Sequence, residues 1–235
     1  MPRVPFAVQR VRLPTAPGID MTLQGAFHIA VFCKAPVEGR VKTRLIPALG
    51  AARATAIYRQ LVRRTLDTVR LASQRTGATA SLWVADDVEH SEVVQWSHEF
   101  RLSLFQQQGD DLGARMLHCL QTCSRQHSRV LLIGTDCPAL AADDLIAAAT
   151  KLNQDSVWVF TPAEDGGYVL VGSRAPTATP FTHIAWSTNA VMAQTRSALS
   201  AGRERWVEMP TLWDIDEPAD VTRAIASGLL AADKF

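Results

Sequence analysis

Four positively charged side chains follow a short hydrophobic segment, residues 28–33, near the start of the chain. They are Lys34, Arg40, Lys42 and Arg44. Arginine offers forked N–H donors and lysine a mobile point charge, and both suit phosphate oxygens. Ligands of α/β sheets bind beyond the carboxyl ends of the strands, so this position favours a di- or triphosphate site. The alternative is a solvated face of an extended segment, and the Walker A pattern Gly-x-x-x-x-Gly-Lys-Ser/Thr is absent.

An aspartate follows the most continuous hydrophobic segment, Val130 to Gly134. A buried strand that ends in Asp136 would place a carboxylate where desolvation is costly unless the group is paired or binds a metal. Hard oxygen ligands that face phosphates suit Mg²⁺ or Mn²⁺. We therefore take Asp136 as the candidate metal ligand. The alternative is a turn-capping role before Pro138.

Further carboxylates lie late in the chain. Asp165 belongs to an Asp-Gly-Gly-Tyr sequence, and Asp-Gly is a strong hairpin signal, although such a turn also aims a carboxylate into a cleft. Asp214, Asp216 and Asp220 either cap the last helix or contact a metal or an acceptor. We take Asp165 and Asp216 as the catalytic candidates, for orienting the acceptor or removing its proton.

A second group of metal-ligand residue types has a weaker pattern. Cys119, Cys123 and His127 are spaced by four residues, so a helix would align them on one face. A CxxC pair is absent and no fourth ligand is evident, so buried thiols are favoured over a zinc site. The sequence also lacks the Gly-x-Ser-x-Gly and His-Glu-x-x-His motifs of hydrolases.

Apolar segments of strand length alternate with longer segments of helical periodicity, a pattern typical of a mostly parallel, layered sheet. The predicted strands are 28–33, 80–85, 102–106, 130–134, 157–161, 168–172 and 206–209, the last as an edge strand. The predicted helices are 51–72, 91–99, 111–124, 143–152 and 188–201, and a last helix begins near Pro218. Asp143 and Asp144 are expected to act as helix-capping carboxylates.

The composition limits the classes of function. The 235 residues are 47% hydrophobic and carry a net charge of +1, which excludes a strong general attraction to nucleic acid or anionic membranes. No apolar segment reaches the roughly 20 residues of a membrane span. The four cysteines form no secreted disulfide pattern, which indicates reduced thiols in the cytoplasm.

The domain organisation follows from the same composition. Residues 1–25 contain scattered prolines and arginines and are predicted to form a flexible extension, with Met21 as a possible alternative start. Residues 26–235 are predicted to form one domain, because this length suits a single α/β core. The oligomeric state is open.

Six segments together resemble DUF2064, a family of bacterial glycosyltransferase-like proteins with the nucleotide-diphospho-sugar transferase fold of GT-A type. Each segment alone is weak, but they occur in order over almost everything after residue 25. The segments are Lys34–Leu45, Gln108–Met116, Gly134–Pro138, Asp165–Tyr168, Trp186–Thr188 and Asp214–Asp216. Two departures are Ala114, where an acidic residue is usual, and the lack of an Asp-x-Asp partner for Asp136.

The resemblance implies a Rossmann-like three-layer α/β/α sandwich with a mostly parallel mixed sheet. In it the first loop, including Gly39, holds the phosphates of the nucleotide, and Asp136 binds the metal. The resemblance further implies that Gly109, Asp111, Gly113 and Arg115 line the nucleotide side. It places Asp165, Gly166, Gly167, Tyr168 and Trp186 near the transferred group or the acceptor.

The reaction itself stays open at the level of sequence, because similar first loops occur in nucleotidyltransferases such as phospholactate guanylyltransferase and the molybdenum cofactor enzymes. A glycosyltransferase releases a nucleoside diphosphate, whereas a nucleotidyltransferase attacks the α-phosphorus of a nucleoside triphosphate and releases pyrophosphate. We favour sugar transfer from a nucleotide sugar, with Mg²⁺ or Mn²⁺, to an unknown acceptor. Nucleotidyl transfer and a non-catalytic nucleotide-binding module are the alternatives.

Overall fold

The computed structural model describes residues 27–152 and 155–234, so the predicted extension over residues 1–25 lies outside the described residues. Its strands are rich in β-branched and aromatic side chains and are mostly buried. They are β1 His28–Cys33, β2 Thr79–Val84, β3 Ser103–Gln106, β4 Val130–Ile133, β5 Trp158–Pro162, β6 Tyr168–Ser173 and β7 Trp206–Glu208. The described strands therefore agree with the predicted ones to within one residue at nearly every end.

The strands form a mixed seven-stranded sheet in the order β3-β2-β1-β4-β6-β5-β7. Only β6 runs antiparallel to its neighbours; the other pairings are parallel. The carboxyl ends of β1 and β4 are therefore adjacent at one edge of the sheet. The mostly parallel sheet that the sequence predicted is confirmed, and β7 lies at an edge as expected.

Seven α-helices occur among the described residues. They are α1 Ile46–Leu49, α2 Ala51–Thr76, α3 Ser91–Phe100, α4 Leu112–Ser124, α5 Ala142–Lys151, α6 Val191–Ala201 and α7 Pro218–Ala226. Asp144 accepts a hydrogen bond from the backbone N–H of Ala141, which confirms its capping role, while Asp143 pairs with Arg75. In the described part of the chain no helix is both long and apolar enough to cross a membrane.

The helices cover the sheet on both faces. Alternate residues of β1 point to opposite faces, so Ile29 and Val31 pack under α2, α3 and α5, whereas Ala30 packs under α4 and α6. A third cluster joins α7 to α2 through Ile215 and Leu61, both fully buried or nearly so. The result is the three-layer α/β/α arrangement with a strand core buried on both faces.

One helix starts later than predicted. The pattern predicted a helix from Thr188, but α6 begins at Val191, and Ser187 before it adopts a left-handed conformation with φ 64°. The backbone N–H of Met192, in the first turn, donates to the Gly166 carbonyl at 2.8 Å. Tertiary contact with the β5–β6 turn thus sets where this helix begins.

Candidate functional site

A cleft of about 640 Å³ opens at the carboxyl ends of β1 and β4. It lies where parallel strands leave room between their following loops, the usual ligand position in such sheets. Of the predicted site residues, those that line it are Lys34, Arg40, Lys42, Arg44, Arg115, Asp136, Tyr168 and Asp216. Loops more than a hundred residues apart in sequence therefore meet in one cavity.

Lys42 lines this cleft and is already paired. Its side chain is only 6% exposed, and its Nζ lies 2.7 Å from Asp136 Oδ1 and 3.6 Å from Asp216 Oδ1. The same Nζ donates to the Ile215 carbonyl. Lys42 adopts φ 47°, a left-handed conformation that costs a non-glycine residue roughly 1–2 kcal/mol. The local fold thus accepts strain that places this ammonium group among carboxylates.

The other three cations differ in exposure and in whether they form an ion pair. Arg44 Nη1 lies 2.7 Å from Asp216 Oδ2 and its side chain is 65% exposed. Lys34 and Arg40 are exposed, line the cleft and form no ion pair with any described carboxylate. Lys34 and Arg40 are therefore the two cations that an incoming anion could contact without breaking an existing ion pair.

The backbone of the first loop is held from two directions. The Tyr58 hydroxyl, which comes from α2, accepts from Lys34 N at 2.7 Å and donates to Lys34 O at 3.0 Å. Burial raises the pKa of Tyr58 well above its usual value, so the hydroxyl keeps the proton that it donates. Ala35 N donates to Asp86 Oδ1 at 2.8 Å, and Gly39 supplies a turn with φ 81°. Tyr58 was not among the predicted site residues, so its contact with the loop was missed.

Three carboxylates converge beside the loop. Asp165, Asp214 and Asp216 each offer an oxygen within 4.8 Å of the other two. The pKa of Asp214 is raised to about 6, first because of its burial and then because of the negative charges of Asp165 and Asp216. Negative charge is thus in excess here, and all the ligand atoms are hard oxygens, which suits Mg²⁺ or Mn²⁺. The residues present fit a divalent cation.

Asp165 reaches this cluster through the β5–β6 hairpin. Its Oδ1 accepts from Gly167 N at 2.8 Å, which closes the turn. Gly166 has φ 90°, and a Cβ there would lie 2.1 Å from the Asn189 carbonyl oxygen, so glycine is required. The hairpin interpretation of Asp-Gly is confirmed, and the same turn also aims a carboxylate at Asp214. The two interpretations are compatible.

Asp214 and Asp216 project from an extended segment in which alternate residues are buried. Ile215 between them is fully buried, and its N–H donates to the Asp136 carbonyl at 2.9 Å. Asp220 accepts from Asp216 N at 3.0 Å and from Glu217 N at 2.7 Å, so it caps α7 as the alternative proposed. Asp214 was not among our chosen candidates, although the Asp-Ile-Asp alternation signals two carboxylates on one side.

The segment before α4 has mostly a shaping role in this structure. Asp111 caps α4 by accepting from Ala114 N at 2.7 Å, and Gly109 has φ 138° with no room for a Cβ beside Arg115 N. Arg115 Nε donates to the Gly109 carbonyl at 3.0 Å and its side chain lines the cleft. Arg115 is thus the member of this group that reaches the cavity, and the nucleotide role of Gly109 and Asp111 stays a prediction.

Aromatic residues form the opposite wall. The Tyr168 hydroxyl has a weak partner, Met116 Sδ at 3.9 Å, and burial raises the pKa of Tyr168. Trp186 packs on Gly113 so closely that a Cβ at Gly113 would lie 2.6 Å from the ring. Leu112, 43% exposed, lines the same side of the cleft. Tyr168 lines the cavity, whereas Trp186 supports the wall from behind, and their contact with a transferred group or an acceptor stays a prediction.

The cysteine and histidine group lies at the other end of the sheet. His28, the first residue of β1, stacks on His127 with ring centroids 4.6 Å apart. A hydrogen bond from the Cys119 thiol is the largest cause that lowers the pKa of Cys123 to about 5. Within the residues described, only the three aspartates meet the geometry of a metal group. The zinc alternative thus gains no support.

Comparison with known proteins identifies the family. The family described as "Uncharacterized protein conserved in bacteria (DUF2064)" matches residues 68–188, which is more than half of the chain and includes Asp136 and Asp165. The chain belongs to the DUF2064 family. No curated protein matches the sequence. The family resemblance that the sequence motifs indicated is confirmed.

Solved structures share the fold of this DUF2064 protein. A candidate nucleotide-diphospho-sugar transferase from Desulfovibrio desulfuricans G20 is 27% identical, with a TM-score of 0.74 over 83% of this chain and 84% of that one. A nucleotidyl transferase from Methanothermobacter is 12% identical, with a TM-score of 0.60 over 87% and 97% of the two chains. A mannosyltransferase from Pyrobaculum calidifontis, solved with GDP-Man and Mn²⁺, is 12% identical, with a TM-score of 0.50 over 87% and 60%. The predicted nucleotide-diphospho-sugar transferase fold is thereby confirmed.

Proposed function

We propose that this DUF2064 protein is a metal-dependent glycosyltransferase that uses a nucleotide-diphospho-sugar. One observation carries the proposal: the cationic loop after β1 lines the same cleft as Asp214 and Asp216, which cluster with Asp165. A nucleotide sugar has the complementary chemistry. Its diphosphate suits cationic side chains, and the oxygens of that diphosphate can bind the same metal ion as the carboxylates. Residues 26–235 act in this proposal as one cytoplasmic domain.

The cations stabilise the charge that develops on the departing diphosphate. Lys34 and Arg40 are exposed at the cleft, and Arg115 approaches from α4. Fixed donors directed at a leaving group that gains negative charge lower the barrier without reorganisation of solvent. Lys42 sets the position of Asp136 through their 2.7 Å contact, and so links the loop to the carboxylates.

The carboxylates Asp165, Asp214 and Asp216 would hold Mg²⁺ or Mn²⁺, with Asp136 as a further proposed ligand. Asp136 lines the same cleft, and its charge contributes to the raised pKa of Asp214. A bound divalent cation neutralises phosphate charge and acts as a Lewis acid toward the departing diphosphate. The crowded negative charge on this side of the cleft supports its binding, because a cation relieves the repulsion among the carboxylates.

In this proposal the acceptor binds between the carboxylates and the aromatic wall. Asp165 is exposed at the edge of the cluster, so its carboxylate can take the proton of an acceptor hydroxyl, and Asp216 is the second candidate for that role. Gly166 and Gly167 shape the turn that presents Asp165. Tyr168 offers a hydroxyl without a strong partner to the transferred group or the acceptor.

Nucleotidyl transfer is the second candidate, and the structural likeness to the Methanothermobacter nucleotidyl transferase favours it. The same cleft would then hold a nucleoside triphosphate, and the acceptor would attack the α-phosphorus. Bond cleavage between the α- and β-phosphates would release pyrophosphate. The cations and carboxylates would have the same electrostatic task in both reactions.

Product analysis separates the two reactions. The protein is incubated with Mn²⁺, panels of nucleotide sugars and nucleoside triphosphates, and candidate acceptor alcohols, and the phosphorus products are resolved by chromatography. Sugar transfer predicts a nucleoside diphosphate that forms only with a nucleotide sugar and an acceptor. Pyrophosphate from a triphosphate would establish nucleotidyl transfer instead. If calorimetry shows that a nucleotide binds but no combination of donor and acceptor is turned over, the remaining function is that of a non-catalytic nucleotide-binding module.

A further inference from the structure

Two segments that are far apart in sequence carry the clustered carboxylates. Asp165 lies in the turn of residues 163–167, whereas Asp214 and Asp216 lie in the segment 212–216. Their backbones meet at a bridge between Ala163 and Leu212, where Leu212 N donates to the Pro162 carbonyl at 3.0 Å and Glu164 N donates to the Leu212 carbonyl at 2.9 Å. These bonds, with the 2.8 Å bond from Met192 N to the Gly166 carbonyl, hold the turn on either side of Asp165. A side-chain contact between the two segments would add a further constraint on the distance from Asp165 to the other carboxylates.

A side-chain brace outside the cleft supplies that constraint. Arg223, from α7, donates to Glu164 from both terminal nitrogens, at 2.7 and 3.1 Å. Its guanidinium carbon also lies 4.2 Å from the centroid of the Trp213 ring. Glu164 directly precedes Asp165, and Trp213 directly precedes Asp214. One arginine therefore contacts the neighbour of a carboxylate on each segment.

We propose that Arg223 is a positioning residue that fixes Asp165 against Asp214 and Asp216. The inference rests on the proposed function, in which these carboxylates hold the metal. Arginine suits the task because its planar group binds a carboxylate with two parallel N–H bonds and stacks on an aromatic ring at the same time. Lysine provides the charge but neither the fork nor the flat face.

The brace is expected to matter for geometry rather than for stability. Glu164 and Arg223 are both about half exposed, and exposed ion pairs contribute little to the free energy of unfolding. The chain contains a matched control, since Arg196 binds Glu208 in the same two-pronged way, at 2.9 and 2.7 Å. That pair joins α6 to β7, and neither residue is next to a clustered carboxylate.

Binding of Mn²⁺ alone, followed by electron paramagnetic resonance, tests the inference. We expect Arg223→Met to raise the Kd for Mn²⁺ about tenfold, as for other groups that orient metal ligands, and Arg223→Lys to raise it about threefold. Arg196→Met should change the Kd less than about twofold. Adding Glu164→Gln to Arg223→Met should cause little further loss, because both changes break the same contact. An unchanged Kd in Arg223→Met would overturn the inference.

Hydrogen–deuterium exchange of the same full-length variants keeps this test separate from the proposed function. If the wild-type protein binds no Mn²⁺, the metal in the proposed function is wrong, and exchange then decides about the brace. If Arg223→Met releases the turn, the amides of residues 163–167 should exchange about tenfold faster than in the wild-type protein. In Arg196→Met these amides should exchange at the wild-type rate. Equal exchange in the two variants would show that Arg223 does not hold the turn.

Discussion

The two ends of the sheet each gather titratable side chains, but they differ in how the charges are compensated. At the amino end, His28 hydrogen-bonds through both ring nitrogens, at 2.7 Å each, to Thr79 and Ser81. At the carboxyl end, burial and then the negative charges of Asp165 and Asp216 raise the pKa of Asp214 to about 6. Hydrogen-bonded polar groups stabilise a core, whereas crowded carboxylates with a raised pKa at a cleft indicate a place for a ligand.

Removal of a carboxylate from the cleft is expected to have the largest effect. Asp216→Ala takes away one proposed oxygen ligand of the metal and the partner of Arg44, so we expect kcat/KM to fall by about a hundredfold or more. The steady-state rate of nucleoside diphosphate release gives kcat/KM for each variant. Cys123→Ser at the opposite end of the sheet should change kcat/KM less than about twofold. Equal losses in the two variants would remove the distinction between the ends.

The second test separates charge from backbone strain at Lys42. Asn tolerates a left-handed backbone, so Lys42→Asn keeps φ near 47° but deletes the cation. We expect the Kd for a nucleoside diphosphate with Mn²⁺ to rise about tenfold or more, because the loop loses its link to Asp136. Calorimetry gives the Kd. A value near that of the wild type would mean that Lys42 serves only the local fold.

The pH dependence of stability tests the raised pKa of Asp214 directly. The pKa of Asp214 is about 6 in the folded protein and 3.8 in its ordinary state, so the folded protein holds the proton more tightly. Between those values the folded state binds more protons than the unfolded state, and stability therefore falls as the pH rises from about 4 to about 6. Since the side chain is partly exposed, we expect a contribution of about 1–2 kcal/mol.

Urea denaturation at a series of pH values measures this contribution. Asp214→Asn should lack the fall between about pH 4 and pH 6, whereas a substitution at His28 should leave it unchanged. Saturating Mg²⁺ should also reduce the fall, because a bound cation favours the ionised carboxylate. If Asp214→Asn shows the same profile as the wild-type protein, the raised pKa inferred for Asp214 is absent.

The smallest effect is expected at the support of the first loop. Tyr58→Phe removes two hydrogen bonds to the Lys34 backbone and should lower the free energy of unfolding by about 1–2 kcal/mol. Nucleotide affinity should fall only about threefold, since the cations of the loop remain. Thermal unfolding and calorimetry on one sample give both quantities. A larger loss of nucleotide affinity in Tyr58→Phe than in Lys42→Asn would contradict the expectation that Tyr58 contributes less to binding than Lys42.

Much of the sheet could be predicted from sequence because its signals are local. The limits of β1 follow from a short apolar segment that ends at a basic loop, and the β5–β6 turn follows from Asp165-Gly166. The late start of α6 could not be predicted, because it depends on contact between Met192 and the Gly166 carbonyl. Local pattern determines elements, and tertiary contact determines some of their ends.

The sequence indicated the types of residue in the candidate site more fully than it indicated which of these residues contact each other. The cations and Asp136 stand at strand ends, where the motif pattern indicated them. That Lys42 would pair with Asp136 could not be read from the sequence, because the two residues meet only through the parallel pairing of β1 with β4. Asp214 likewise differs from the helix-capping Asp220 only in burial and neighbours, which a linear pattern does not show.

Calorimetric titration with Mn²⁺ at pH 7.5 tests the central claim most directly. The wild-type protein and the Cys123→Ser variant are predicted to bind one Mn²⁺ with equal affinity at the Asp165–Asp214–Asp216 cluster, and Asp214→Asn should weaken that binding by about tenfold or more. Equal Mn²⁺ affinity in wild type and Asp214→Asn, or loss of binding in Cys123→Ser, would contradict the account.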